Sequence, residues 1–103
     1  MFSPHKKYLI KRNILAFKWI YDKIASGFGV RKTLAAAPEH IGISKSLAYK
    51  LYAIPEYPFS PFYIYDEITG EIVGERTAEQ ILQRAIEIER ENSATVESKP
   101  EAA

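Results

Sequence analysis

The chain has no cysteine, only two histidines and a single tryptophan among 103 residues. Without cysteine there is no disulfide, no thiolate metal site and no thiol nucleophile. His5 and His40 are too few for a multi-histidine metal cage. No apolar run approaches the roughly 18 residues that a membrane helix needs. The basic start, Met1 to Lys7, is not followed by the apolar core and small-residue cleavage site of a secretory signal. No nucleophile is spaced against a base, and the carboxylates are scattered, so neither enzymatic activity nor a cofactor is expected. These absences lead us to expect a soluble cytoplasmic protein with no membrane partner.

What is present suits one small domain. The chain is 47% apolar and 13% aromatic, enough for a single core but not two. Its net charge of +1 conceals a division. Residues 1–54 carry ten Lys/Arg against Asp22 and Glu39, a balance of +8, and residues 55–103 carry four against eleven acids, a balance of −7. Such asymmetry suggests a basic face for a polyanion. The alternative is that the two halves neutralise each other across the fold or between copies.

Residues 7–26 have the spacing of a long helix. Ile10, Ile14, Phe17, Tyr21, Ile24 and Phe28 recur at steps of three and four, with Leu15 and Trp19 widening the stripe. Ser26-Gly27-Phe28-Gly29 supplies glycine where a helix terminates. Residues 30–37 contain good helix formers, and Pro38 is expected to stop them or to open a short turn over 38–41. Gly42 breaks the chain, Ser44 caps a helix over 45–53, and Ile43, Leu47 and Leu51 face inward.

Prolines at 55, 58 and 61 have the three-residue period of an extended, polyproline-like connector. Residues 62–65 and 71–73 read as a β-hairpin, with Gly70 in the turn. Thr77 and Gln80 form a capping-box pattern before Ile81, Leu82, Ala85 and Ile88, which line a helix to about residue 91. The domain is therefore expected to span 1–91, and 92–103 lack periodicity and read as a disordered tail.

The expected class is α+β, mainly helical. Its order is a long N-terminal helix, helix, tight turn, helix, one β-hairpin and a C-terminal helix, which is that of a winged helix-turn-helix. Gly42 permits the turn, Ser44 caps the second helix of the motif, and Lys45, Ser46, Tyr49 and Lys50 lie off its apolar stripe. Such a helix leads into a major groove with its N-terminal residues.

Gly42-Ile43-Ser44-Lys45-Ser46, followed by Tyr49 and Leu51, resembles the turn and recognition helix of excisionase-like and MerR-like winged helix-turn-helix regulators. The resemblance spans about residues 38–88 and implies double-stranded DNA as partner. Asp66, Glu67 and Glu71 make the wing acidic, so the family's wing contacts do not carry over.

On this reading Ser44, Lys45, Ser46, Tyr49 and Lys50 meet bases or backbone, and Lys6, Lys7, Lys11, Arg12, Arg31 and Lys32 attract phosphates. Tyr49 suits a DNA contact and the edge of the core equally. A regulator of the phage or plasmid type, or a recombination directionality factor, is the expected role. A homodimer is expected because the first helix has more apolar surface than one small core needs. The alternative is a protein-binding inhibitor or adaptor. It would act through the aromatic segment 57–65 (Tyr57, Phe59, Phe62, Tyr63, Tyr65) or through the acidic C-terminal half.

Overall fold

Ser3 and Pro4 begin the first helix earlier than the apolar stripe suggests. In the computed structural model, which describes residues 3–98 with side chains as far as Ser93, α1 runs Pro4–Ala25. The Ser3 hydroxyl accepts from the Lys6 N–H at 3.2 Å, and Pro4 occupies a first-turn position where its missing N–H costs nothing. At the other end Gly27 takes φ +103°, and the Phe28 N–H donates back to the Lys23 carbonyl at 3.1 Å. These contacts close the helix in a Schellman-type turn.

Helix α1 is buried on two sides. Ala16 and Ile20 pack with Leu34 and Ala37 of α2 (Val30–Ile41), Ile43 of the connecting turn, and Ala48 and Leu51 of α3 (Lys45–Ala53). Ile14 and Phe17 pack with Ile81, Ala85 and Ile88 of α4 (Ala78–Ser98). Tyr52 touches both clusters. Each fully buried Ile or Leu contributes about 1.5–3 kcal/mol relative to an exposed one.

Of the expected stripe, Ile14 and Phe17 are buried, whereas Tyr21 and Phe28 are exposed. A helix covered from two sides buries a wider arc than one stripe, which brings in Asn13, Ala16 and Ile20. Leu15 and Trp19, the apolar surplus behind the expected dimer seam, pack against these two clusters within one chain.

Three expectations need correction. Pro38 neither stops α2 nor opens a separate turn, because the helix continues through it to Ile41. Burial of Thr33, Leu34 and Ala37 on the inner face holds that helix together against the missing N–H. The proline-rich segment is not extended. Tyr57, Ser60 and Tyr63 N–H groups donate to the Ile54, Tyr57 and Ser60 carbonyls at 3.2, 2.9 and 3.2 Å, making successive turns that bury Ser60 and Pro61. Residues 92–98, read as irregular, continue α4. No glycine or proline interrupts the chain between Thr77 and Ser98, so the helix outlasts its apolar stripe. The rest of the expected tail, 99–103, lies outside the described residues.

The hairpin and the last cap match the sequence. Strands β1 (Tyr63–Tyr65) and β2 (Ile72–Glu75) pair antiparallel, with Tyr63 opposite Glu75, Ile64 opposite Gly74 and a bulge between Ile64 and Tyr65. The Asp66 carboxylate accepts from the Ile68 and Thr69 N–H groups at 2.8 Å each, and Gly70 takes φ +79°. Thr77 and Gln80 form the reciprocal capping box, with bonds of 3.2 and 2.8 Å.

Candidate nucleic-acid interface

The turn between α2 and α3 is built by three residues. Gly42 takes the left-handed conformation at φ +69°, which stops α2. Ile43 is buried and pins the turn to the core. Ser44 accepts from the Leu47 N–H at 3.0 Å and starts α3. Ala48 and Leu51 are fully buried, so the orientation of α3 is fixed by packing against α1 and α2. Leu47 is only half-buried, a less central anchor than its spacing suggests.

Ser44, Lys45, Ser46 and Tyr49 are left on the outer face, with Tyr49 52% exposed. The ring of Tyr49 is therefore available to a partner and does not seal the core. Lys50 is half-buried, its ammonium 5.5 Å from the Tyr57 ring centroid. That cation–π contact orients Lys50 along the connector.

The basic residues divide into two groups. Lys11 lies 3.9 Å from Glu91, and Lys18 lies 2.8 Å from Asp22 and 3.8 Å from Glu89. The hydrogen bond to Asp22 raises the Lys18 pKa above the ordinary lysine value, against the opposing effect of burial. Arg12 donates twice to the Asn13 Oδ1, at 3.2 and 2.9 Å. Acids of α4 thus offset part of the basic charge of α1, as the neutralisation alternative anticipates. By contrast, Lys6, Lys7, Arg31, Lys32 and Lys45 are exposed, and none of them joins an ion pair among the described residues.

These five residues share a position in their elements. Lys6 and Lys7 lie in the first turn of α1, Arg31 and Lys32 in that of α2, and Lys45 at the start of α3. None of the three first turns contains an acid, whereas α4 begins with Glu79. A helix N-terminus already carries positive partial charge, so a cation there opposes helix stability and strengthens the positive potential.

The hairpin has different chemistry. Asp66, Glu67, Glu71 and Glu75 accompany Ile68, Ile72 and Val73, and Ile68 is 74% exposed. Hydrogen bonds from Thr69 and Ile68 hold the Asp66 pKa below its ordinary value. Behind the hairpin the Arg76 guanidinium donates to the Tyr63 carbonyl at 2.8 Å. Burial and the neighbouring Arg84 lower its pKa. The aromatic segment 57–65 is largely turned inward: Phe62 meets Phe17 edge-on at 5.4 Å, and Tyr57 packs on the first core cluster. Burial raises the Tyr65 pKa.

Two features escaped the sequence pattern. Asn13 is buried and bonds the connector, and Thr33 is buried beside a cleft walled by Trp19, Phe28 and His40. The one-turn spacing of Trp19 and Lys23 was the only signal for that cleft. Among the described residues no group of His, Cys, Asp or Glu could hold a metal ion, and no helix is long and apolar enough to cross a membrane. Comparisons of this chain with protein-family models, with curated proteins and with solved structures find no match.

Proposed function

We propose that the chain binds double-stranded DNA through α2, the Gly42–Ser44 turn and α3, as a small regulator or architectural factor. The observation that carries this reading is the unpaired basic charge on three acid-free helix starts, which stability alone would not select. Phosphates meet Lys6, Lys7, Arg31 and Lys32. Helix α3 enters the major groove with Lys45, Ser46 and Tyr49 leading. Lys50 follows from the Tyr57 ring, and Ser44 adds a helix N-terminus to the phosphate contacts. The wing takes no part, because four carboxylates would face a polyanion. Lys11 and Arg12, already engaged by Glu91 and Asn13, contribute less than the other cations.

The experiment is a mobility shift with random and selected duplexes at low salt, comparing the wild-type chain with Lys45→Ala and Tyr49→Ala. Loss of one good base contact weakens specific binding by about 1–3 kcal/mol, with melting not lowered in Lys45→Ala, where a cation leaves a helix N-terminus. Sedimentation of the complex distinguishes one chain per site from a pair on two half-sites. If no duplex shifts at low salt, the DNA reading fails. The acidic hairpin with its exposed Ile68, Ile72 and Val73 then favours a protein partner.

A further inference from the structure

Trp19 of α1, Phe28 of the α1–α2 turn and His40 of the last turn of α2 wall a cleft of about 270 Å³. Trp19 and His40 stack with ring centroids 5.7 Å apart and planes 25° from parallel. The Lys23 ammonium lies 5.9 Å from the centroid of Trp19 and 5.0 Å from that of Phe28. Lys32 is a second cation on the wall, and none of the lining residues is acidic.

Thr33 lines the same cleft and is 1% exposed. Its Oγ1 is the one buried side-chain polar atom without a hydrogen-bond partner among the described residues. Buried hydroxyls are normally satisfied, so one left unpaired beside a cavity points to a missing partner.

Aromatic faces, two ammonium groups and an unpaired hydroxyl together specify a ligand with a flat π-system, an anionic group and a hydrogen-bonding edge. Rings stack on a base irrespective of its identity. Ammonium groups bind phosphate through charge-assisted hydrogen bonds. A threonine hydroxyl can donate to a ring nitrogen or accept from a sugar hydroxyl. The volume is just below the roughly 300–1,000 Å³ of typical small-molecule sites, which suits one ring system with one anion. We propose that the cleft between α1 and α2 binds a nucleoside monophosphate: the Lys23 ammonium leaves the Trp19 and Phe28 rings to meet the phosphate together with Lys32, and the base takes its place against those rings. The Thr33 hydroxyl is closed to water, so the ligand displaces part of the wall to reach it. Phe28, half-exposed between Gly27 and Gly29, is the most exposed apolar residue there and moves first.

Trp19 is the only tryptophan, so its emission reads the cleft directly. The full chain, free of DNA because Lys32 also belongs to the proposed duplex interface, is titrated with adenosine 5′-monophosphate to millimolar concentration. Adenosine and inorganic phosphate are titrated separately. The expected result is a saturable change with the monophosphate, weaker binding of adenosine, and no saturation with phosphate. Lys23→Ala and Lys32→Ala should each raise the dissociation constant about tenfold, the loss of one charge-assisted contact. Thr33→Val should weaken monophosphate binding while leaving the melting temperature of the free chain unchanged or higher, because it removes an unsatisfied hydroxyl. No saturable response, a response to phosphate alone equal to that of the monophosphate, or a dissociation constant unchanged in both lysine variants would overturn the proposal.

Discussion

The Asn13 side-chain amide donates a 2.9 Å hydrogen bond to the carbonyl of Phe59, forty-six residues away in sequence. Phe59 has φ +60°, the only positive value outside glycine among the described residues. The bond ties the turn-rich connector to the centre of α1, and the Asn13 Oδ1 holds the Arg12 guanidinium on the other side. One buried amide thereby orients the chain that leads from α3 into the hairpin.

Asn13→Ala should destabilise the domain through this link. It removes the hydrogen bond to the Phe59 carbonyl and the acceptor of Arg12, a loss of about 1–3 kcal/mol. For a domain of this size each kcal/mol lowers the melting temperature by about 4–8 °C. Thermal melts of both chains measure the change. Equal melting temperatures would mean that the connector is held by its own turn hydrogen bonds and the burial of Ser60 and Pro61, without Asn13.

Pro38→Ala should act in the opposite direction. The proline lies inside α2, is exposed, and cannot donate to the carbonyl one turn back. Alanine is favoured by about 3 kcal/mol in a helix interior, and the loosened unfolded chain removes about 0.4–1 of that. A higher melting temperature is expected. A lower one would show that Pro38 makes a contact more valuable than the missing hydrogen bond.

The Asp66 turn should fail in acid. The Thr69 and Ile68 N–H groups stabilise the ionised carboxylate, so its folded pKa is depressed. The stabilisation is present above the unfolded pKa and is lost as pH falls through the folded value, below the ordinary carboxylate range. Amide exchange at Ile68 and Thr69 should accelerate, relative to the intrinsic rate, across that acidic window. Asp66→Asn should keep the turn and abolish its pH dependence. Protection of both amides that persists unchanged through that window would contradict this origin for the turn.

Lys6→Glu with Lys7→Glu should raise stability and lower DNA affinity together. Each replacement puts a favourable charge at the N-terminus of α1, worth about 0.3–1 kcal/mol at low ionic strength. The same change removes two phosphate contacts from the proposed interface. Melting and duplex affinity, measured on one preparation, should move in opposite directions. Greater stability with unchanged affinity would remove both lysines from the interface.

Much of the fold was legible because local chemistry decided it. Ser44 before an apolar run, the Thr77–Gln80 capping box and Gly70 in the hairpin turn are short-range signals, and each element formed where they lie. Features decided by tertiary packing were not legible. A proline breaks an isolated helix, yet α2 passes through Pro38 because its inner face is buried. The prolines at 55, 58 and 61 suit an extended chain, yet Asn13 and the burial of Ser60 fold the segment into turns. For the candidate site, the exposure of Lys45, Ser46 and Tyr49 followed from the stripe, whereas the burial of Ala48 and the half-burial of Leu47 and Lys50 did not. The pairing of Lys11 and Lys18 with α4 did not, because it depends on which helix covers α1.

The salt dependence of duplex affinity tests the central claim most directly. Fluorescence anisotropy of a labelled duplex is followed from 50 to 200 mM salt. Neutralising about four phosphates, those assigned to Lys6, Lys7, Arg31 and Lys32, predicts a log–log slope of about −3.6 and a loss of affinity on the order of 10²-fold across that range. Removing one of Lys6, Arg31 or Lys32 should make the slope shallower by about one. A duplex that does not bind even at the lowest salt, or binding whose slope is unchanged in all three variants, would contradict the account.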